Sequence, residues 1–307
     1  MTKIFIDGSA GTTGLRIYER LGDRKDLELI ILDDEVRKDL SARKEAINAS
    51  DIAFLCLPDA AAIEAVSLIE NDHTAVIDTS TAHRTNNGWA YGFPEIGNGY
   101  DIIRNSKRIA NPGCHASGFI SLIAPLTEKG LLKKDVILTC TSLTGYSGGG
   151  KKMIAQYEDP DRDMLFDAPR TYGLTLAHKH LPEMKKVCGL ENAPTFVPIV
   201  ADFYSGMEVI VPITADMLSC SMEELKDFYR DYYSKGLVHF KDRVDEDGLA
   251  SACALSMKDT MEITVTGNGE RLLLISRFDN LGKGASGAAI QNMNILLGID
   301  EATGLNI

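Results

Sequence analysis

The first eighty residues alternate short apolar runs with helix-length segments, and this alternation limits the fold more than any other feature of the chain. Residues 3–7, 27–32, 52–57 and 75–78 are β-rich and almost continuously apolar. Residues 13–21, 40–48 and 60–70 between them fit helices. Strands without polar alternation are buried on both faces, so the pattern predicts a parallel sheet covered by helices on both sides.

The first strand runs into Gly-Ser-Ala-Gly-Thr-Thr-Gly at residues 8–14, which opens the first helix. Glycines at such a turn let the backbone approach a pyrophosphate, and the free N–H groups of a helix N-terminus bind it. The spacing G-x-x-G-x-x-G is not the commoner G-x-G-x-x-G, but its strand-turn-helix setting is the right one for a nucleotide. The plain alternative is a structural glycine turn. Asp33, Asp34 and Glu35 stand at the end of the second strand, where an acid binds the ribose of NAD and repels the extra phosphate of NADP. Arg37 and Lys38 close by could instead receive that phosphate. A solvated acidic turn explains the same residues, and the cofactor choice stays open on them alone.

Beyond residue 136 the pattern changes. Residues 136–143, 195–200, 207–213, 261–266 and 271–276 are strand candidates, several with no helix between them, and Gly-Asn-Gly-Glu at 267–270 joins the last two as a hairpin. A helix over 222–233 has Ser221 as N-cap and Glu224 in capping-box position. Residues 285–297 are helical again and could return to the first domain. The fold expected is α/β: a Rossmann-type doubly wound sheet over 1–115, completed by a C-terminal helix in 285–307, and an α+β catalytic domain with a mixed or antiparallel sheet over 116–284.

Composition narrows the function. Lys plus Arg of 32 against Asp plus Glu of 44 gives a charge of −12, with no basic patch to overcome it, so no nucleic-acid partner is expected. No apolar run approaches the roughly 18 residues that span a bilayer, and the amino terminus goes straight into a strand. The six cysteines are scattered without a CxxC pair, which suits a reducing, cytoplasmic setting. No Cys or second His pair stands at usual ligand spacing, so no metal is expected.

Three elements carry chemistry. Cys114 follows a Pro-Gly turn and starts an apolar helix, where unpaired N–H groups and the helix dipole stabilise a thiolate. It is a nucleophile candidate, or else a small buried residue after a turn. His178 and His180, in His-Lys-His-Leu-Pro-Glu, can exchange protons with a thiol or a developing alkoxide, and Glu183 can orient them or bind substrate. The loop of residues 144–151, with Ser147 and its glycines, is an anion-nest candidate or a mobile connection. His73, His83, His115 and His239 are taken as surface or packed residues.

Together these blocks, with Tyr-Gly-Phe-Pro-Glu at 91–95, Ala-Asn-Pro-Gly-Cys at 110–114 and Asp-Asn-Leu-Gly-Lys-Gly-Ala-Ser-Gly at 279–287, resemble the shorter subgroup of the N-acetyl-gamma-glutamyl-phosphate reductases. The last block is shared with the aspartate-semialdehyde dehydrogenases, so it supports the superfamily more than the substrate. Where the larger subgroup has an aromatic residue and Pro-Thr after the cysteine, this chain has His115, Ala116 and Ser117. The resemblance implies reduction of an acyl phosphate to a semialdehyde and inorganic phosphate, with NADP, in arginine biosynthesis. It implies a thioester on Cys114 and acid-base work by His180 or, second, His178, with Glu183 orienting or binding substrate. Arg84 and Ser147 become substrate contacts. Gly8, Gly11, Thr12, Thr13, Gly14, Arg37, Asn280, Gly282 and Gly284 become cofactor contacts, and a homo-oligomer, dimer or tetramer, is implied. The readings that compete are an aspartate-semialdehyde dehydrogenase or related phosphorylating aldehyde dehydrogenase, and a non-catalytic NADP-binding sensor.

Overall fold

The early alternation of apolar runs and helices is realised as a six-stranded, wholly parallel sheet. The computed structural model describes residues 1–307, with β1 (Thr2–Asp7), α1 (Thr12–Gly22), β2 (Leu27–Ile30), α2 (Leu40–Ala49), β3 (Ile52–Leu55), α3 (Asp59–Ser67) and β4 (Ala75–Asp78). Then come β5 (Ala90–Tyr91), α4 (Gly99–Arg104) and β6 (Arg108–Ala110). The strand order is β2-β1-β3-β4-β6-β5. Successive side chains of β1 go to opposite faces. Ile4 and Ile6 join Ile17, Leu21, Ile290 and Met293 on one side, while Phe5 joins Ile47, Ala62 and Ala65 on the other. Two buried faces explain the lack of polar alternation. The order reverses at β1, between β2 and β3, and a crevice forms at the carboxyl end of a sheet at such a switch point.

A seven-stranded mixed sheet follows. Its elements are α5 (Cys114–Glu128), β7 (Thr139–Gly145), α6 (Gly150–Glu158), β8 (Arg170–Thr171), α7 (Leu181–Val187), β9 (Thr195–Ala201), β10 (Met207–Thr214), α8 (Met222–Tyr232), β11 (Val238–Phe240), β12 (Met261–Gly267) and β13 (Arg271–Phe278). The order is β11-β12-β13-β10-β7-β9-β8. β12 and β13 form the expected antiparallel hairpin, and both halves of the Ser221–Glu224 capping box are made. The strand expected from residue 136 begins at Thr139, because Ile137 lies exposed ahead of it. A last helix, α9 (Gly287–Leu297), packs in the first sheet's core.

Contacts divide the chain into one unit of Met1–Pro94, Asn98–Pro112 and Ala285–Leu305 and another of Glu95–Gly97, Gly113–Gly284 and Asn306–Ile307. The boundary drawn after residue 115 therefore moves to Gly113, since Cys114 and His115 are the first residues of α5. Glu95 belongs to the second unit because its carboxylate, buried with Lys283, accepts from Lys283 Nζ at 2.6 and 2.8 Å and from the Leu237 N–H at 3.0 Å. Asn306 is held there by the Asp259 carboxylate at 2.8 Å.

α5 is buried from His115 to Thr127, as expected of a helix that is apolar all round. It contains Pro125, which has no N–H to give to the Ser121 carbonyl four residues back. Tyr233, just past α8, supplies the donor, its hydroxyl lying 2.6 Å from that carbonyl, and Tyr229 of α8 reaches the Leu122 carbonyl in the same way. Losing such a donor leaves a buried carbonyl unpaired, at a cost of about 1–3 kcal/mol.

Candidate active site and cofactor turn

In the first unit, β1 ends at Asp7 and the chain turns at Gly8, whose φ of +88° favours glycine. A Cβ on Gly8 would stand 2.3 Å from the Cys56 carbonyl oxygen, and one on Gly14 would stand 2.4 Å from that of Gly8. The turn is therefore wound tightly against β3 and against itself. Gly11 donates its N–H to the Gly8 carbonyl at 2.9 Å and is the N-cap of α1, where no side chain caps the first turn. The leading N–H groups of α1, starting at Thr12 and Thr13, are left without a side-chain acceptor. A cleft of about 310 Å³ opens here, lined by Gly8, Ser9, Ala10, Tyr18, Arg37 and Lys38, with the buried Asp7–Arg43 pair in its wall. Asp33, Asp34 and Glu35 do not line it, and Asp34 pairs with Arg37 Nε at 3.3 Å.

Arg84, in the same unit, donates from Nε to the Asn111 carbonyl at 2.9 Å and from Nη2 to the Thr79 carbonyl at 3.0 Å. Two nitrogens of the side chain expected to contact substrate thus hold backbone.

In the second unit, Gly113 is the N-cap of α5 and Cys114 its first residue, with no acidic side chain in the first turn. The placement is the one that favours a thiolate. The Glu183 carboxylate, 1% exposed, accepts the Gly113 N–H at 3.2 Å, so this acid steadies the residue before the cysteine. Gly284 meets the cysteine directly: a Cβ there would lie 3.0 Å from Cys114 Cβ. The Asp279 carboxylate shapes the loop before it by accepting the Leu281 and Gly282 N–H groups at 2.7 Å each.

His178 and His180 stand together, ring centroids 4.8 Å apart and nearly perpendicular. His178 Nδ1 accepts the His180 backbone N–H at 3.2 Å, which commits that ring nitrogen as an acceptor. Burial first and Lys179 second hold the His178 pKa below its usual range. Two further residues join them. His115, next to the cysteine, lies 5.7 Å from the His178 ring and 5.6 Å from that of His180, with Nδ1 2.7 Å from Ser142 Oγ and Nε2 2.6 Å from the Tyr172 hydroxyl. Burial, with His178 and Lys179, lowers its pKa to about 3. Burial and then the nearby Cys114 raise that of Tyr172. The sequence reading set His115 aside as packed, and only its place beside Cys114 marked it. Nothing in the pattern marked Tyr172.

In the loop of residues 144–151, read from sequence as an anion-nest candidate or a mobile connection, three successive N–H groups are engaged within the protein. The Gly145, Tyr146 and Ser147 N–H groups donate to the carbonyls of Gly206, Phe203 and Tyr204 at 3.0, 2.9 and 3.0 Å. Ser147 Oγ accepts from Asn280 Nδ2 at 3.0 Å, and Asn280 Oδ1 accepts the Gly206 N–H at 2.9 Å. Ser147 and Asn280 are thus joined to each other, and Gly282 is packed against the Lys258 carbonyl.

Comparison with known proteins fits both units. The semialdehyde dehydrogenase NAD binding domain matches residues 3–102, and the semialdehyde dehydrogenase dimerisation domain matches residues 114–280. N-acetyl-gamma-glutamyl-phosphate reductase 2 of Nostoc sp. is 43% identical, over 99% of both chains, and the N-acetyl-gamma-glutamyl-phosphate reductase of Chelativorans sp. is 46% identical over 96% of this chain and 98% of its own. The chain belongs to the N-acetyl-gamma-glutamyl-phosphate reductase family. Among solved structures, aspartate semialdehyde dehydrogenase II of Vibrio cholerae shares the fold at a TM-score of 0.72 with 16% identity, covering 97% of this chain and 98% of that one. The reductase family's relation to the semialdehyde dehydrogenases is thus seen in the fold as well as in the two matched domains. No helix here is long and apolar enough to cross a membrane.

Proposed function

We propose that the protein is an oxidoreductase that converts N-acetyl-gamma-glutamyl phosphate to N-acetyl-glutamate 5-semialdehyde and phosphate, reversibly, with NADP as cofactor, in arginine biosynthesis. The observation that carries this reading is Cys114 at the amino end of a buried helix, followed directly by His115, one of a packed trio of imidazoles with His178 and His180. The names of relatives at 42–46% identity supply the substrate.

The residues of the first unit fit a dinucleotide phosphate. The space a Cβ would fill at Gly8 and Gly14 is taken by backbone, the first turn of α1 has no side-chain cap, and Arg37 and Lys38 line the cleft while the acids beside them do not. Arg37 and Lys38 in the lining, with the one lining carboxylate, Asp7, already paired to Arg43, favour the additional phosphate of NADP over NAD. Bound in its reduced form, this cofactor supplies the hydride. Cys114 Sγ attacks the acyl carbon; the carbon–oxygen bond to phosphate breaks, its electron pair leaves with phosphate, and a thioester remains on the cysteine. After reduction, the thiohemiacetal on Cys114 collapses, releasing the aldehyde and the thiolate. His180 holds and returns the protons of these steps. It is preferred to His178, whose Nδ1 is engaged by the His180 N–H. Glu183 steadies the turn before the nucleophile. The matched dimerisation domain supports a homo-oligomer, and the six free cysteines support a cytoplasmic setting.

The test is a spectrophotometric assay with N-acetyl-glutamate semialdehyde, phosphate and either NADP or NAD. Phosphate-dependent NADP reduction is expected. Turnover of aspartate semialdehyde in preference overturns the substrate, and nucleotide binding with no turnover of either overturns the enzyme reading. His180→Asn is expected to lower kcat by roughly 100-fold, and His178→Asn by less, the size usual for general acid-base catalysis. The reverse order assigns the proton to His178.

A further inference from the structure

We propose that His115 is a positioning residue of this site: next to Cys114 in the chain, it bonds Ser142 through one ring nitrogen and Tyr172 through the other, and so fixes the Tyr172 hydroxyl beside His178 and against the first turn of the helix that Cys114 begins. The proposal rests on the reading of Cys114 as the nucleophile.

Three observations carry it. Both ring nitrogens of His115 are used, at 2.7 and 2.6 Å, by groups from two different elements, β7 and the residue that follows β8. Ser142 is fully buried, so its hydroxyl depends on a partner inside the protein. The imidazole also packs against the edges of His178 and Phe196 and beside His180, so it cannot swing without disturbing the pair proposed for proton transfer. A phenylalanine has the shape to fill this place but neither nitrogen, and only a ring with a polar atom on each side bridges Ser142 to Tyr172.

A neutral imidazole has one N–H and one lone pair, so the chain Ser142–His115–Tyr172 runs in a single sense. With the proton on Nε2, the ring donates to the phenol oxygen and Tyr172 keeps its own O–H for the site. The ring stays neutral because of burial and its neighbours. The titratable groups around it are Cys114 on α5, Tyr172, and His178, Lys179 and His180 ahead of α7, while β7 and β9 present Ser142 and Phe196. The ring thus adds a fixed dipole to the site and no charge.

The test compares His115→Phe/Ser142→Ala, in which the buried serine hydroxyl is removed together with its partner, with Tyr172→Phe and with the triple variant. Each is measured for kcat, KM, thermal midpoint and the rate at which iodoacetamide alkylates Cys114, followed on the peptide that carries it. A kcat lower by about tenfold or more is expected in the double variant, the scale of a misplaced catalytic group. Its KM is expected to stay within about twofold, the mark of an interaction made in the transition state. Its thermal midpoint is expected near that of the parent. Tyr172→Phe should reproduce the kcat loss, and the triple variant should lose no more, because one function is removed once. Cys114 alkylation should change alike in all three. Losses that add in the triple variant, or parental kcat and alkylation in His115→Phe/Ser142→Ala, overturn the proposal. The alkylation arm needs no acyl phosphate, so it decides on His115 even if the substrate assigned above is wrong.

Discussion

Two glycine-rich segments of this protein look alike in sequence and are opposites in structure. The turn at Gly8–Gly14 is crowded against the Cys56 carbonyl and its own backbone, yet no side chain caps the helix it opens. The loop at Gly145–Gly149 spends three successive N–H groups on the carbonyls of residues 203, 204 and 206. A run of glycines says that the backbone comes close to something. The identity of that something is written elsewhere in the chain, in β3 for the first segment and in the residues before β10 for the second. The first unit keeps donors and cations for a ligand, and the second encloses its polar groups among one another around Cys114.

If that division of labour is right, Cys114→Ser removes the phosphate-dependent activity by more than about 1,000-fold while NADP binding, measured by fluorescence titration, stays near parental, since a serine hydroxyl lacks an accessible anion. Activity within about tenfold of the parent would break the covalent mechanism. Gly8→Ala is next: its φ of +88° and a contact at 2.3 Å with backbone leave no place for a methyl group, so loss of NADP binding and a lower thermal midpoint are expected. Gly148→Ala, whose nearest neighbours would lie at 3.3 and 3.4 Å, should change NADP affinity little. Equal effects of the two alanines on nucleotide affinity would erase the contrast drawn here.

Arg37→Ala/Lys38→Ala sharpens the ligand side. NADP affinity should fall by roughly tenfold or more and NAD affinity much less, as expected on losing charge-assisted phosphate contacts; an equal fall for both, or a parental preference for NAD, would return the choice to Asp33 and Asp34. The smallest effect belongs to the second unit. His115 stays neutral down to about 3 in the fold, whereas an unfolded histidine protonates near 6.5. Between those values the unfolded chain binds the extra proton. The stability contributed by the neutral ring is therefore complete above the upper value and is lost as pH falls toward the lower one, at up to about 1.4 kcal/mol per pH unit. Denaturation midpoints from pH ~6.5 to ~4.5 should fall less steeply in His115→Phe/Ser142→Ala than in the parent.

Much of the architecture was legible because it rests on local rules. The continuous apolar runs gave a parallel sheet, Ser221 and Glu224 gave a helix start, and Pro-Gly before Cys114 gave the amino end of α5. The site was legible only as far as its residues come in blocks. His178, His180 and Glu183 share six residues of sequence and were found together; Tyr172 and Ser142 reach His115 through strand pairing, over separations of 57 and 27 residues, which no spacing rule sees. The loop around Ser147 and the guanidinium of Arg84 meet the same limit: their donors can be counted in the sequence, but the acceptors of residues 145–147 and of Arg84 Nε and Nη2 lie on other segments.

The proline within α5 has a consequence for how the chain is made. The donor for the Ser121 carbonyl is Tyr233, 112 residues further along. During synthesis the helix that begins with Cys114 emerges with a gap in its ladder that nothing yet translated can close. Water must serve there until α8 has left the ribosome and docked. The thiol's own helix is therefore completed late, and a chain halted before residue 233 lacks the donor that closes its ladder at Ser121.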